Sequence, residues 1–114
     1  MIMKYRVTLE EAKETLKMDN EFPFVCLLRH GSMAVEYYAP VDVDEQTPHR
    51  QDELYFIASG SGIFYRDGER TDCRKGDVLF VPAGMDHRFE NFSTDFATWV
   101  VFYGPDGGEA ASAS

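Results

Sequence analysis

Apolar and polar residues alternate in short blocks over most of the chain, and Gly, Pro, Asp and Asn separate the blocks. Blocks of this length are typical of β-strands, and turn residues between them are typical of a sandwich or barrel. The pattern predicts strands at 24–29, 33–38, 54–59, 63–66, 70–73, 78–81, 85–92 and 96–103. Residues 41–48 are polar and predict a loop.

The beginning of the chain has a helical period instead. Thr8 is followed by Glu11 at capping-box spacing, and apolar residues then recur every three or four positions. This pattern predicts a short amphipathic helix over residues 9–17 that packs on the outside of the sheet.

Composition indicates a single domain with little additional structure. We divide the chain into an N-terminal segment, 1–21, a barrel, 22–104, and a tail, 105–114, whose small residues predict disorder. At 114 residues the chain is large enough for one core without disulfides.

Charge and cysteine content narrow the partners and the location. The formal charge of −9 argues against nucleic acid and anionic membranes, which require clustered Lys and Arg. Cys26 and Cys73 are few for a secreted scaffold, and no long apolar run appears. We therefore expect two reduced thiols in a cytoplasmic protein.

The stretch from Gly76 to Asn91 carries the clearest local signal. An apolar strand ends at Pro82, which cannot donate to a sheet ladder, and Gly84 permits a turn that is closed to most other residues. His87 follows at the start of the next strand, so it is held on rigid framework near the end of a sheet.

Two ordered motifs in the middle of the chain resemble those of the cupin superfamily. The first is His49, Glu53 and Gly60, and the second is Gly76, Pro82, Gly84, His87 and Asn91, all at the family's spacing. The resemblance, to small single-domain proteins of the cupin-2 type, implies a jelly-roll barrel, also called a double-stranded β-helix. Thr47 stands where the family pattern has its first histidine.

The resemblance implies a metal site made of His49, Glu53 and His87. Two imidazoles and one carboxylate suit Fe(II), which we favour, and also accept Mn, Ni, Co or Zn. A threonine hydroxyl at position 47 is a poor ligand, so one or more coordination positions stay open for substrate. In a straight strand His49 and Glu53 would stand about 13 Å apart. The chain must therefore bend at residues 50–52 if they share an ion.

Strand alternation predicts which side chains face the pocket. With Glu53 pointing inward, Tyr55 and Ile57 also point inward, whereas Leu54 and Phe56 point outward. The predicted pocket residues are Thr47, Gln51, Ile57, Phe89 and Asn91, and Tyr37 and Tyr55 are candidate catalytic helpers. Residues 96–103 are apolar on both faces, so the pattern does not indicate which face lines the pocket.

Two classes of function fit these features. The first is a metal-dependent enzyme acting on a small polar metabolite, either an Fe(II)-type oxygenase or an isomerase or lyase. The second is a non-catalytic module that binds or senses a sugar-like ligand. An Arg or Lys that faces the metal would indicate an anionic substrate. Because the outward residues Leu54 and Phe56 need cover, we also expect a homodimer.

Overall fold

The computed structural model describes residues 4–18 and 21–110. Its elements are α1 (Leu9–Met18), β1 (Phe24–His30), β2 (Met33–Tyr38), β3 (Asp52–Ser59), β4 (Ser61–Arg66), β5 (Glu69–Arg74), β6 (Val78–Val81), β7 (His87–Glu90) and β8 (Ala97–Tyr103). The predicted helix and strands are all present, and their ends differ from the prediction by at most two residues. The predicted loop lies between β2 and β3.

Two antiparallel sheets form the fold. The five-stranded sheet has the order β1-β2-β8-β3-β6, and the three-stranded sheet has the order β5-β4-β7. Aromatic side chains from both sheets meet between them: the rings of Tyr55 and Phe89 are 4.9 Å apart and those of Phe64 and Phe89 are 5.6 Å apart. The all-β jelly-roll prediction, with a short helix at the N-terminus, is confirmed.

Strand alternation places the inward residues as expected. Tyr55 and Ile57 are buried in the core, whereas Phe56 between them is 39% exposed. In β8, Val100 belongs to the same core. Trp99 packs on the opposite face of the sheet, where its ring lies 5.5 Å from that of Tyr37. The structure thus shows which face of β8 points into the core, a question that the apolar pattern left undecided.

The helix covers the outer face of the five-stranded sheet. Thr8 caps it, because its Oγ1 accepts a hydrogen bond from the Glu11 amide at 3.1 Å. Ala12 is completely buried and packs in a cluster with Tyr37 and Ala97. Across residues 4–18 and 21–110, no helix combines the length and the apolar character needed to cross a membrane.

The first part of the predicted tail is hydrogen-bonded to the barrel. The Gly107 amide donates to the Arg50 carbonyl at 2.7 Å, and the Glu109 amide donates to Asp52 Oδ2 at 2.8 Å. The remaining tail residues, 111–114, lie outside the described residues, as do 1–3 and 19–20 of the predicted N-terminal segment.

Gly60 carries the chain from one sheet to the other, between β3 and β4. Its φ is +73°, and an added Cβ would lie 2.8 Å from the Phe96 Cα and would also collide with the Ser93 hydroxyl. Gly31, in the β1–β2 turn, has a similar φ of +57° but open space where a Cβ would stand. Both glycines therefore have a positive φ, but only Gly60 lacks the space for a Cβ atom.

Gly60→Ala is therefore expected to destabilise the fold more than Gly31→Ala. The left-handed backbone alone costs about 1 kcal/mol at Gly31, and overpacking raises the loss at Gly60 to about 3 kcal/mol. Free energies of unfolding from denaturant titrations measure both values. Equal losses would show that crowding at the β3–β4 crossing is unimportant.

Candidate metal centre

A bend just before β3 brings two motif residues together. The chain bends at Arg50 and Gln51, so His49 precedes the strand and Glu53 is its second residue. The side chains converge across this bend, and His49 Nε2 and Glu53 Oε1 are 4.0 Å apart. The predicted bend is confirmed.

The turn after β6 joins the second motif to the first. Gly84 has a φ of +78°, and its amide donates to the His49 carbonyl at 2.8 Å. The neighbouring Ala83 amide donates to Asp52 Oδ1 at 2.9 Å. Because the turn is bonded on both sides of the bend, the strand that leaves it starts beside His49 and Glu53. Sequence analysis identified the turn but missed Asp52 as its anchor.

His87, the first residue of β7, faces this bend from the opposite sheet. It is 2% exposed, and its Nδ1 lies 2.9 Å from the Met85 carbonyl oxygen. A carbonyl only accepts, so Nδ1 donates and the Nε2 of the neutral ring carries a lone pair. That Nε2 lies 2.8 Å from Glu53 Oε1.

The buried carboxylate and imidazole lie at ion-pair distance, and they attract each other only when the imidazole is protonated. Despite their short separation they lack hydrogen-bond geometry, and neither the two Glu53 oxygens nor His87 Nε2 has another partner among the described residues. The ligand atoms of His49, Glu53 and His87 all lie within 4.8 Å of one another. Electron-rich atoms that converge in this way, with Glu53 only 1% exposed, fit a shared cation.

The pKa values of the two histidines respond in opposite directions. Burial alone would lower the pKa of His87, but the Glu53 carboxylate and the Met85 carbonyl outweigh it and raise that pKa. Burial dominates at His49 and lowers its pKa, although Glu53 opposes the change. His49 is therefore biased toward the neutral form in which imidazole binds metals.

A cavity of about 1050 Å³ opens onto this cluster. Of the three predicted ligands only His49 reaches its wall, beside Val100 and Phe102 of β8. Seven further apolar side chains line the cavity, and they are Leu16, Phe22, Pro23, Phe24, Ala39, Val41 and Val43. A polar group of a ligand would thus meet the metal cluster at the base of a largely apolar chamber.

The charged residues of the cavity are all acidic. They are Glu21, Glu36, Asp42 and Glu45, and no Lys or Arg lines the cavity within the part of the chain that the structure describes. Glu36 lies on β2 and is partly buried, and burial raises the pKa of its carboxyl group. The cavity is therefore a negative environment for a ligand.

A buried carboxylate, Asp44, holds the β2–β3 loop over the barrel. Its oxygens accept hydrogen bonds from Tyr38 Oη, from the Gln46 amide and side chain, and from the Phe89 amide. Gln46 Oε1 in turn accepts from Tyr55 Oη at 2.8 Å. Burial raises the pKa of Tyr55 well above its usual value, so this tyrosine acts as a donor and not as a base.

Some of the predicted helper and pocket residues lie near the cavity or the metal cluster, and others lie away from both. Thr47 lines the cavity, and the ring of Tyr55 lies 6.0 Å from that of His87. Tyr37 packs on the helix side of the sheet, away from the cluster.

The other predicted pocket residues do not line the cavity. Gln51 donates to the Ser32 and Gly104 carbonyls, because it lies in the bend, where strand alternation does not apply. Ile57 and Phe89 point inward as predicted but into the closed core. Asn91 is exposed with a φ of +46°, one residue past the end of β7.

Asp44 and Gln46 are residues of the site that sequence analysis missed. Both lie in the loop that polarity predicted, and nothing in the local pattern distinguishes them from their solvated neighbours. Their role depends on how this loop closes on Tyr55 and Phe89, which are distant in sequence.

Comparison with known proteins identifies the family of the chain. The family model described as "Cupin domain" matches residues 34–103. An uncharacterized protein of Streptomyces coelicolor is 37% identical over 95 residues, which cover 82% of this chain and 90% of that protein. The acireductone dioxygenase of Frankia alni is 41% identical over 64 residues, and the match covers 52% of this chain and 31% of the dioxygenase.

A solved structure has the same fold. The cupin 2 conserved barrel domain protein of Salinispora arenicola superposes with a TM-score of 0.67 at 20% identity, over 91% of each chain. The family match covers more than half of this chain and includes both motifs and all three predicted ligands. The chain therefore belongs to the cupin family.

Proposed function

We propose that this cupin is a metal-dependent enzyme that holds one divalent transition-metal ion through His49, Glu53 and His87. One observation carries the proposal: His87 Nε2 and Glu53 Oε1 face each other at 2.8 Å, buried and without hydrogen-bond partners among the described residues. When the His87 imidazole is neutral, the two electron-rich atoms repel each other, and a divalent cation bound to both replaces that repulsion by attraction.

We favour Fe(II) as the ion and an oxygenase as the enzyme class. Two imidazoles and one carboxylate with open positions form the donor set typical of non-haem Fe(II) oxygenases. The similar proteins include acireductone dioxygenases, although the chain spans only 31% of the Frankia alni enzyme. When bound, the ion supplies Lewis acidity and, as Fe(II), redox chemistry with oxygen. An isomerase or lyase would use the Lewis acidity alone.

The residues around the cluster have separate tasks. His49 is the ligand that substrate would meet first, because it alone of the three forms part of the cavity wall. Tyr55 donates a hydrogen bond at the base of the chamber, where its high pKa keeps the hydroxyl protonated. Val100 and Phe102 contribute apolar surface that excludes water next to His49.

We further propose that the substrate is uncharged or cationic. A basic residue facing the metal would have indicated an anionic substrate, but acidic side chains supply all of the charge in the described cavity wall. Like charges in a confined apolar site are costly, so an anion would be disfavoured there. Non-catalytic binding of a sugar-like ligand has less support, because most of the wall is apolar.

Removing either histidine is expected to cost most of the bound metal. Wild type should hold one ion per chain, His49→Ala and His87→Ala should hold little, and Thr47→Ala should match wild type because its hydroxyl is a poor ligand. Elemental analysis of the four purified proteins measures this, with circular dichroism to confirm that each is folded. Equal metal content in wild type and both histidine variants contradicts the site.

Oxygen consumption distinguishes the reaction classes. The Fe(II)-loaded protein should consume oxygen with a matching neutral or cationic metabolite, and the Zn(II)-loaded protein and His87→Ala should not. Conversion of that metabolite without oxygen by both metal forms would instead indicate an isomerase or lyase. A metabolite that binds but is returned unchanged under every condition would indicate a binding module.

Neutralising Glu36 is expected to change selectivity for charge. In Glu36→Gln, the affinity for n-butylamine should fall and that for butyrate should rise, each by about threefold, whereas butanol should bind as before. Calorimetric titration of the metal-loaded protein with the three matched ligands gives these ratios. An unchanged preference between amine and carboxylate would mean that Glu36 does not contact the ligand.

We also propose that the protein forms a homodimer through the outer face of β3 and β6. Phe56 pairs with Val78 in register on this face, and Phe80 pairs with Leu54 beside them. Phe56, Val78 and Phe80 are 39%, 56% and 44% exposed, so they leave an apolar patch across the edge strand β6 and its neighbour β3. A second copy would cover the patch.

The double variant Phe56→Ser, Phe80→Ser is expected to be a monomer at micromolar concentration, whereas wild type sediments as a dimer. Val43→Ser is the matched control, because Val43 is 65% exposed but lies at the cavity. Sedimentation velocity measures all three proteins. A monomeric wild type, or a dimer that survives the double substitution, contradicts this interface.

A further inference from the structure

The three proposed ligands leave the identity of any fourth protein ligand open. Thr47, at the family's remaining motif position, offers a hydroxyl that is a poor ligand for these ions. His30 is exposed at the end of β1, and so it cannot supply the donor. The residue next to Thr47, however, places a different oxygen beside the cluster.

We propose that Gln46 is a fourth ligand, through its side-chain oxygen Oε1, an inference that rests on the metal site proposed above. Gln46 Oε1 lies 3.5 Å from His49 Nε2. Glu53 Oε1 lies 2.8 Å from one histidine Nε2 and 4.0 Å from the other, so the Gln46 distance falls within the range of the cluster. Donor atoms that share one first-row ion are typically about 3 Å apart.

A hydrogen bond between the two side chains accounts for this contact less well. N–H···O bonds in proteins have a mode of about 2.9–3.0 Å, and a separation of 3.5 Å is at their outer limit. An ion between the two atoms accounts better for an approach that is too long for a good hydrogen bond. It would also leave the His49 imidazole free to use its Nε2 as a ligand.

The orientation of the Gln46 amide is fixed by Asp44. Gln46 Nε2 donates to Asp44 Oδ2 at 2.7 Å, and a carboxylate accepts only from the nitrogen end of an amide. The amide oxygen must then point the other way, toward Tyr55 and His49. Asp44 is itself 6% exposed and anchored by the Phe89 amide at 2.8 Å, so the oxygen is held in place before any ion binds.

An amide oxygen is also chemically suited to this position. It is a hard, neutral donor, so it adds a ligand without reducing the net charge of +1 that one carboxylate leaves on a divalent ion. The hydrogen bond from Tyr55 Oη at 2.8 Å is compatible with ligation, because a carbonyl-type oxygen has two lone pairs. The ligand set becomes two nitrogens and two oxygens.

Two substitutions test the ligand by removing its oxygen in different ways. Gln46→Met keeps the length of the side chain but has no amide, and Gln46→Asn keeps the amide but is one methylene too short to reach. Thr47→Val is the matched control at the adjacent wall position. Co(II) serves as the probe, because its visible absorption reports the number and type of ligands, and titration with it gives the affinity.

Both Gln46 variants are expected to bind Co(II) at least tenfold more weakly than wild type, with an altered visible spectrum. Thr47→Val should stay within twofold of wild type and keep its spectrum. Unfolding temperatures of the metal-free proteins show which variants are folded. If Gln46→Met is unfolded, the test rests on the affinity and spectrum of Gln46→Asn.

Three results would overturn the proposal in distinguishable ways. Unchanged affinity and spectrum in the folded Gln46 variants would exclude Gln46 as a ligand and leave the His49, Glu53 and His87 site intact. Weaker binding with an unchanged spectrum would also exclude ligation, because Gln46 would then act only through its neighbours. A wild-type protein that does not bind Co(II) would remove the proposed metal site and this inference together.

Discussion

The buried carboxylate of Glu53 is the constraint on which the rest of the site depends. An isolated charge at 1% exposure costs several kcal/mol, and the Glu53 oxygens have neither a Lys or Arg partner nor a hydrogen bond of good geometry among the described residues. Its close neighbours are the imidazoles of His49 and His87, and the latter presents a lone pair. A bound cation would therefore contribute to folding as well as to chemistry, because the same ion would compensate the buried carboxylate.

The backbone reaches this arrangement through bonds that join sequence-distant segments. Asp52 accepts from the Ala83 amide with one oxygen and from the Glu109 amide with the other. The Gly84 amide bonds to the carbonyl of His49 itself. The bend, the turn after β6 and the segment after β8 are thereby fixed to one another, so the separation of the two histidines depends on backbone geometry more than on side-chain choice.

Much of the fold and of the candidate site was predictable from the sequence. There is a physical reason why the remainder was not predictable. The strands follow from the local pattern and the motif pair from its resemblance to a known family. The bend before Glu53 follows from chain geometry if His49 and Glu53 share an ion. Strand alternation holds only inside strands, and it therefore failed for Gln51, in the bend, and for Asn91, past the end of β7. Asp44 and Gln46 acquire their positions from tertiary contacts of a loop, which no local pattern records.

The cavity would have two regions of opposite charge, the metal centre and the acidic wall. The formal charge of −9 argues against nucleic acid as a partner but does not describe the site, where a divalent ion with one carboxylate would have a net charge of +1. Around it the cavity wall carries only negative side chains among the described residues, including Glu36 on β2. The metal centre at the bottom of the cavity would attract an anion, but the acidic wall would repel it. A neutral or cationic molecule with one oxygen donor could bind the ion through that oxygen without repulsion from the wall. In the proposed enzyme the wall would therefore select the ligand, and the metal centre would determine which of the ligand's atoms reacts.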